Sequence, residues 1–351
     1  MMAALVARAE HQAATDVGSY RRHPALLPHL GLGRFNDANL RSLLARRLLL
    51  RLHVPARAVG LVLQPLAWLR PGAQGCHDFL SDYAYWRGAQ RALADRDSWQ
   101  RLVDGPVILM YHAVGAQGEP PGTYIISPKR FEQQMAWLKR RRRPVIRLDV
   151  FLADRWAGRL PPARSVILTF DDGYRDNKDQ ALPVLRRYGF PATVFIVTGY
   201  AGKADGWDQG GELAGRPLLS WPELREMEAS GISFGAHTRT HPHLSALDGE
   251  RLRDEIAGSR SDLEAQLTRV CPALAYPHGD HDADVEAAVA QAGFLGACCS
   301  RADRNDPAAP TFALRRIEIR GSDSFARFFL AVWLGRRMSV WQFLTRLLNG
   351  R

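Results

Sequence analysis

Between Val107 and Glu318 short apolar runs alternate with amphipathic stretches, and this rhythm limits the fold more than any other feature of the chain. VILM (107–110), SVILTF (165–170), ATVFIV (192–197), ISFGA (232–236) and ALAY (273–276) read as short buried strands, with further strands near 296–299 and 316–319. Helices fit the segments between them. SPKRFEQQMAWLKR opens with Ser127 as N-cap and Pro128 at the first helical position. Other helices are expected over 177–188, over 221–230 with a stop at Gly231, from Asp248 to Thr268, and over 282–293 with a stop at Gly293. Parallel neighbours need a crossover, so strands that alternate with helices imply parallel β/α units. The repeat number, six to eight, suits a barrel better than a small open sheet.

The flanks are different. Residues 1–104 hold no strand-like run and carry Arg/Leu-rich helical patterns such as Leu40–Leu48, so they do not read as a complete domain. Ala38 to His77 has six Arg and no acid, and Ser324 to Arg351 has five Arg and no acid. Gly335 is expected to split the latter into two helices. The expected division is a helical extension over 1–104, a β/α domain over 105–322 and a basic amphipathic tail over 323–351. In the tail, Val340, Trp341, Leu344, Leu347 and Leu348 follow helical spacing. Trp333, Trp341, Arg336, Arg337 and Arg346 suit the headgroup layer of an anionic membrane, so peripheral membrane contact is expected.

The net charge of +11 is spread along the chain, and all but four of the 47 basic residues are Arg. The densest run, Lys139 to Arg143, falls where a helix should end, which suits cations. A nucleic-acid partner would rest on charge alone and is not expected. Four cysteines without a CxxC exclude a zinc ribbon and a disulfide framework and fit reduced thiols. The apolar run Ala58–Leu69 falls short of the roughly 20 residues that span a bilayer. The N-terminal stretch meets Arg8 and Glu10 too early for a secretory core. The expected location is the cytoplasm or the inner face of the cell membrane.

Three segments carry chemistry, each at the C-terminal end of an expected strand, where parallel β/α folds gather their reactive groups. In Thr169-Phe170-Asp171-Asp172-Gly173, two adjacent carboxylates repel unless each has its own partner, such as a metal. In His237-Thr238-Arg239-Thr240-His241-Pro242, a helical turn would aim both imidazoles the same way. Two His and one Asp form a facial metal set with positions left open for water. The third segment is Tyr276-Pro277-His278-Gly279.

In this order TFDDG, HTxxHPxL and YPxG resemble the polysaccharide deacetylases of the NodB-homology type, the carbohydrate esterase family 4 group. The flanks ILMYHAV, SPKRFEQQM, LPVLRRYGFPATVFIVTGY and LSWPELREMEASGISFGAHT extend the likeness over about Pro106 to Arg320. The resemblance implies a distorted (β/α) barrel and metal-dependent removal of acetyl groups from an N-acetylated glycan. It implies Asp172, His237 and His241 as ligands of a divalent metal, zinc before cobalt or nickel, and Asp171 as general base toward the attacking water. The backbone N–H of His278 is implied as an oxyanion donor. Work beside a glycan-synthesis machine is expected together with the membrane contact. An O-acetyl esterase and a non-catalytic glycan-binding subunit are the alternatives. FLSDYAYWRGAQRAL (79–93) is similar to the C-terminal tail of family-2 glycosyltransferases, without any transferase motif.

The sequence departs from the family pattern at two places. Many members brace the catalytic Asp with an Arg where this chain has Ala275, and many supply a general acid from a late Leu-x-His, here Leu314-Arg315-Arg316. Arg316 is therefore expected to reach Asp171 in place of the missing brace, with Arg315 facing the other way. His112, His278 and His281 are the candidates for the acid, and His112 is favoured because it follows a strand that should end at the barrel mouth.

Overall fold

The computed structural model describes residues 2–69, 73–267 and 269–349. Thr268 and Arg351, named above, lie outside the described residues, as does the Leu348 side chain.

Five helices come first: α1 (Met2–Arg22), α2 (Leu40–Arg51), α3 (Ala56–Leu69), α4 (Ala73–Leu93) and α5 (Arg96–Val103). The alternating region supplies β1 (Val107–Tyr111), β2 (Ala113–Val114), β3 (Ile125–Ile126), α6 (Pro128–Arg140), α7 (Leu148–Trp156) and β4 (Val166–Phe170). Then follow α8 (Leu182–Tyr188), β5 (Thr193–Ile196), α9 (Trp221–Glu228), β6 (Ser233–Ala236), α10 (Gly249–Arg253), α11 (Ser259–Leu267) and β7 (Ala273–Ala275). The chain ends with α12 (Ala283–Gln291), β8 (Gly296–Cys298), β9 (Arg316–Glu318), α13 (Phe325–Leu334) and α14 (Val340–Asn349). Ser127 caps α6 through its hydroxyl, as its position ahead of Pro128 required. The long helix expected from Asp248 is α10 and α11 joined through a π-helical stretch, Asp254–Gly258.

Seven strands form one parallel sheet in the order β8-β7-β6-β5-β4-β1-β9. Its two edges meet just before β9. Leu314 donates to the Ala297 carbonyl and accepts from the Cys299 N–H, each at 2.8 Å, so the sheet is a nearly closed barrel. Inside pack Ile108, Ile167, Phe195, Ala275, Cys298 and Leu314, with Leu148, Phe151 and Leu152 of α7 in the same cluster. Leu152 lies beside Gly296 at the start of β8, which places α7 across the N-terminal ends of the strands. The opposite, C-terminal end is left open for chemistry.

Helices α1–α5 build a second apolar cluster around Leu32, Phe35, Leu80, Tyr83 and Trp86. It is tied to the barrel through buried polar links. Asp306 accepts from the Asn36 N–H at 2.7 Å and from its Nδ2 at 2.6 Å, and Asp104 takes both Arg47 and Arg164. Gly335, at φ 73, ends α13 in the left-handed conformation that favours glycine. Among the described residues no helix is long and apolar enough to cross a membrane. All four cysteines are free thiols, and burial pushes Cys271 and Cys298 up to about 12.

Candidate metal centre

Strand β4 delivers the paired carboxylates. Asp171 still follows the ladder, its N–H donating to the Tyr111 carbonyl at 2.9 Å. Asp172 then turns left-handed at φ 70, followed by Gly173 at φ 77. The φ of Gly173 favours glycine, and a Cβ there would press on Ile196 Cδ1 at 2.8 Å. The turn sends the two side chains to different partners, which relieves their repulsion.

Strand β6 delivers the imidazoles. His237 Nδ1 donates to the Ala275 carbonyl at 2.8 Å. A carbonyl only accepts, so Nδ1 carries the proton and Nε2 is left as the free ligand atom. The expected helical turn between His237 and His241 is not there. Thr238 (φ 65) and His241 (φ 62) are both left-handed, and Thr238 Oγ1 accepts the His241 N–H at 3.0 Å. This kinked loop brings the rings to 4.9 Å, an approach a regular helix was invoked to make. Glu255 accepts the N–H groups of Arg239 and Thr240, and Arg239 pairs with Asp262, which clamps the loop to α11.

Nε2 of His237 and Nε2 of His241 each stand 3.3 Å from Asp172 Oδ1, a buried oxygen without a hydrogen-bond partner. An orphaned carboxylate oxygen facing two imidazole nitrogens is the donor set of a divalent cation, and the residues present fit one. Burial would raise the Asp172 carboxyl, but the two imidazoles beside it hold it well below the usual carboxylate range. The same contacts hold His237 above its ordinary value against the effect of burial.

Arg316 reaches Asp171 from across the barrel. It is fully buried, and Nη1 and Nη2 donate to Asp171 Oδ1 and Oδ2 at 2.5 and 2.8 Å. Its Nε donates to the Cys299 carbonyl at 3.2 Å, and the guanidinium lies 5.4 Å from the Phe195 ring centre. Arg315 faces outward and pairs with Asp303 at 3.3 Å, as strand alternation requires. Burial raises the Asp171 carboxyl, yet the Arg316 charge outweighs it and keeps the carboxyl below its usual range.

Of the candidate acids, the structure brings His112 and His278 to the cleft and leaves His281 out of its lining. His112 is part-buried against Tyr124, with ring centres 4.8 Å apart, and its Nδ1 is buried without a partner. His278 is exposed, left-handed at φ 58, and its ring stands 4.6 Å from His241 and 4.1 Å from His243. His281 pairs with Glu286 at 3.0 Å and stacks on Tyr276.

The cleft holds about 260 Å³. Its walls include Tyr124, Tyr174, Trp207, Asp208, Leu213 and Glu318, none singled out from the sequence. Trp207 lies against His241 with ring centres 4.9 Å apart, and Asp205 pins it by accepting the Trp207 N–H at 3.1 Å. Tyr174 in turn donates to Asp205 at 2.8 Å. Nothing in the 201–219 loop marks Trp207 by motif or period; a buried Asp held by a Tyr is visible only once the chain is folded.

Residues 158–297 match the family model described as polysaccharide deacetylase. YxkH of Bacillus subtilis is 26% identical over 222 residues, covering 63% of this chain and 74% of the relative. A poly-β-1,6-N-acetyl-D-glucosamine N-deacetylase of Staphylococcus aureus is 29% identical over 180 residues, 49% of this chain, and the match spans only 59% of that relative's length. Among solved structures, the deacetylase PplD of Streptococcus pyogenes, in complex with acetate, superposes with a TM-score of 0.56 at 25% identity. That likeness covers 65% of this chain and 98% of PplD.

Proposed function

Because this chain belongs to the polysaccharide deacetylase family, we propose that it hydrolyses the N-acetyl groups of a glycan with a divalent metal ion held by Asp172, His237 and His241. The observation that carries this reading is the ionised Asp171, locked by Arg316 beside that metal set. The metal, when bound, supplies an acidified water and a polarised acetyl carbonyl. Asp171 accepts the proton of the attacking water on a carboxylate oxygen, each oxygen keeping a second lone pair beside its bond to Arg316. The ion pair makes Asp171 a weaker base but keeps it charged in a buried site.

The His278 N–H is assigned to the oxyanion, since His278 lines the cleft beside the ligand His241. His112 is assigned as the acid that protonates the departing amine. His112 lines the cleft without an ion-pair or hydrogen-bond partner on its buried Nδ1, which supports it over His278, whose ring is engaged by two other imidazoles. Trp207, Leu213 and Tyr124 give the sugar an apolar wall.

Zinc is the metal proposed, because a set of two imidazoles and one carboxylate with open positions suits it. A β-1,6-linked N-acetylglucosamine polymer is the proposed substrate, after the named activity of the Staphylococcus aureus relative. The proposed location is the inner face of the cell membrane, beside glycan-synthesis machinery, supported by the two acid-free, Arg-bearing stretches 38–77 and 324–351.

The test is acetate release from β-1,6-glucosamine oligomers, chitin oligomers and acetylated xylan, with and without added Zn²⁺ or Co²⁺. Metal-dependent release from the N-acetylated oligomers is expected. Release from xylan alone, or none from any substrate, overturns the reading.

A further inference from the structure

The two acid-free segments meet on one surface. The tail helix α14 packs on α2, with Arg41 Nε donating to the Leu347 carbonyl at 2.9 Å. Leu40, Leu330, Leu334 and Met338, with Leu44 and Phe343 against them, form a small core between α2, α13 and α14. This core uses only part of the apolar stripe of α14. Trp341 is 74% exposed, and Val340, Leu344 and Leu347 also face solvent. From α13, Phe329 and Trp333 extend the row, their rings 6.0 Å apart, and Trp333 stands 6.3 Å from Phe343. From α2, Leu48 shares the face of Arg41 by helical spacing and is 57% exposed. After α2 the chain turns, and α3 presents Leu61 and Val62 outward.

Solvent-facing Trp, Phe and Leu on three elements are more than the scattered apolar residues of an ordinary surface. The exposed cations of α2 and α14 are Arg41, Arg51 and Arg346, and no acid occurs in either segment. The structure removes two arginines from the expected set. Arg337 pairs with Asp323 at 2.9 Å, and Arg336 donates to the Ala38 carbonyl at 2.9 Å, so both hold the tail to the body of the protein.

We propose that the joint α2–α13–α14 face is the seat of an anionic lipid bilayer, into which Trp341 and Leu344 insert while Arg41 and Arg346 meet the headgroups. The inference deepens the proposed placement at the membrane and rests on it. Charge selects the occupant. A two-fold dimer through this face would set arginines against arginines with no acid to answer them. An anionic headgroup layer supplies the missing negative charge, and indole rings suit its boundary with the acyl chains.

The experiment is flotation of the full-length protein with vesicles of phosphatidylglycerol and phosphatidylcholine, or of phosphatidylcholine alone. Wild type is expected to float with the anionic vesicles, about tenfold more than with neutral ones, and to lose this in high salt. Trp341→Glu with Leu344→Glu should abolish flotation while acetate release from soluble oligomers is unchanged. Leu48→Glu is the second variant, on a different helix, in case the tail pair disturbs folding as read by circular dichroism. No flotation of wild type, or flotation of folded variants equal to wild type, overturns the proposal. Self-association of wild type that the tail variant abolishes, without vesicle binding, assigns the face to a second copy and also overturns it. Fractionation of cells reads the placement separately: a protein that floats in vitro yet stays off cell membranes fails the placement and keeps the face.

Discussion

Arg316 closes a two-pronged pair on Asp171, with both members buried and the two bonds at 2.5 and 2.8 Å. The cation comes from the last strand of the barrel, beside β1, and the carboxylate from the end of β4 on the other side of β1. Each would be costly alone in such a place, and the pair is what lets Asp171 stay charged.

Removing this cation should therefore damage both folding and chemistry. Arg316→Leu is expected to cost about 3–5 kcal/mol of stability, because it strands a buried charge. Ala275 shares the barrel interior with Phe195 and Cys298, next to the space that Arg316 occupies. Arg316→Leu combined with Ala275→Arg should then recover a large part of the lost kcat/KM. A double variant no better than the single one would show that the brace works only from β9.

Asp171→Asn should keep the metal and lose the reaction. The amide is nearly isosteric but takes no proton, and loss of a general base costs about 10²–10⁴ in rate. Acetate release, followed together with metal content, checks both halves. Activity within a few-fold of wild type contradicts the assignment.

His237→Ala should abolish metal binding. It removes one of three ligands and the ring that the Ala275 carbonyl orients. Elemental analysis of wild type loaded with zinc should give about one equivalent per chain and the variant far less. Equal contents would assign the metal elsewhere.

Asp306 should make stability fall with rising pH across a mildly acidic window. Burial pushes its carboxyl up to about 6, against the Asn36 donors. In the unfolded chain the group titrates near 3.9. Between these values the folded state holds a proton that the unfolded state has lost, so stability declines from about pH 4 to about 6 and is level above. The expected size is about 1–3 kcal/mol. Thermal melts of wild type and Asp306→Asn at several pH values should show a flatter profile in the variant. Parallel profiles would remove Asp306 from the account.

The barrel could be read from the sequence because its strands are buried on both faces, so VILMY and VILTF stand out as unbroken apolar runs. Asp172 and His237 were legible because each follows the end of a strand, and His241 through its spacing from His237. Arg316 was legible through strand alternation, once Ala275 left Asp171 without its brace. The turn between His237 and His241 was misread, since four-residue spacing looks helical and nothing in Thr-Arg-Thr announces two left-handed residues. Trp207 was missed because its place depends on Asp205 and Tyr174, a link formed only by tertiary folding. The separate core of α1–α5 was also hidden, because Arg46 and Arg47 interrupt its apolar pattern while packing on Phe35.

Asp172, Thr238, His241 and His278 all hold positive φ without being glycine, and all four sit at the metal centre. Each such residue costs on the order of 1–3 kcal/mol, and a β-branched one such as Thr238 is especially ill suited. The folded protein therefore carries its tension where it works, held there by the clamps on Arg239 and the buried strand ends. Selection for thermal endurance alone would drift toward glycine or asparagine at these places, and at Asp172 and His241 the hardier chains it produced would be the idle ones.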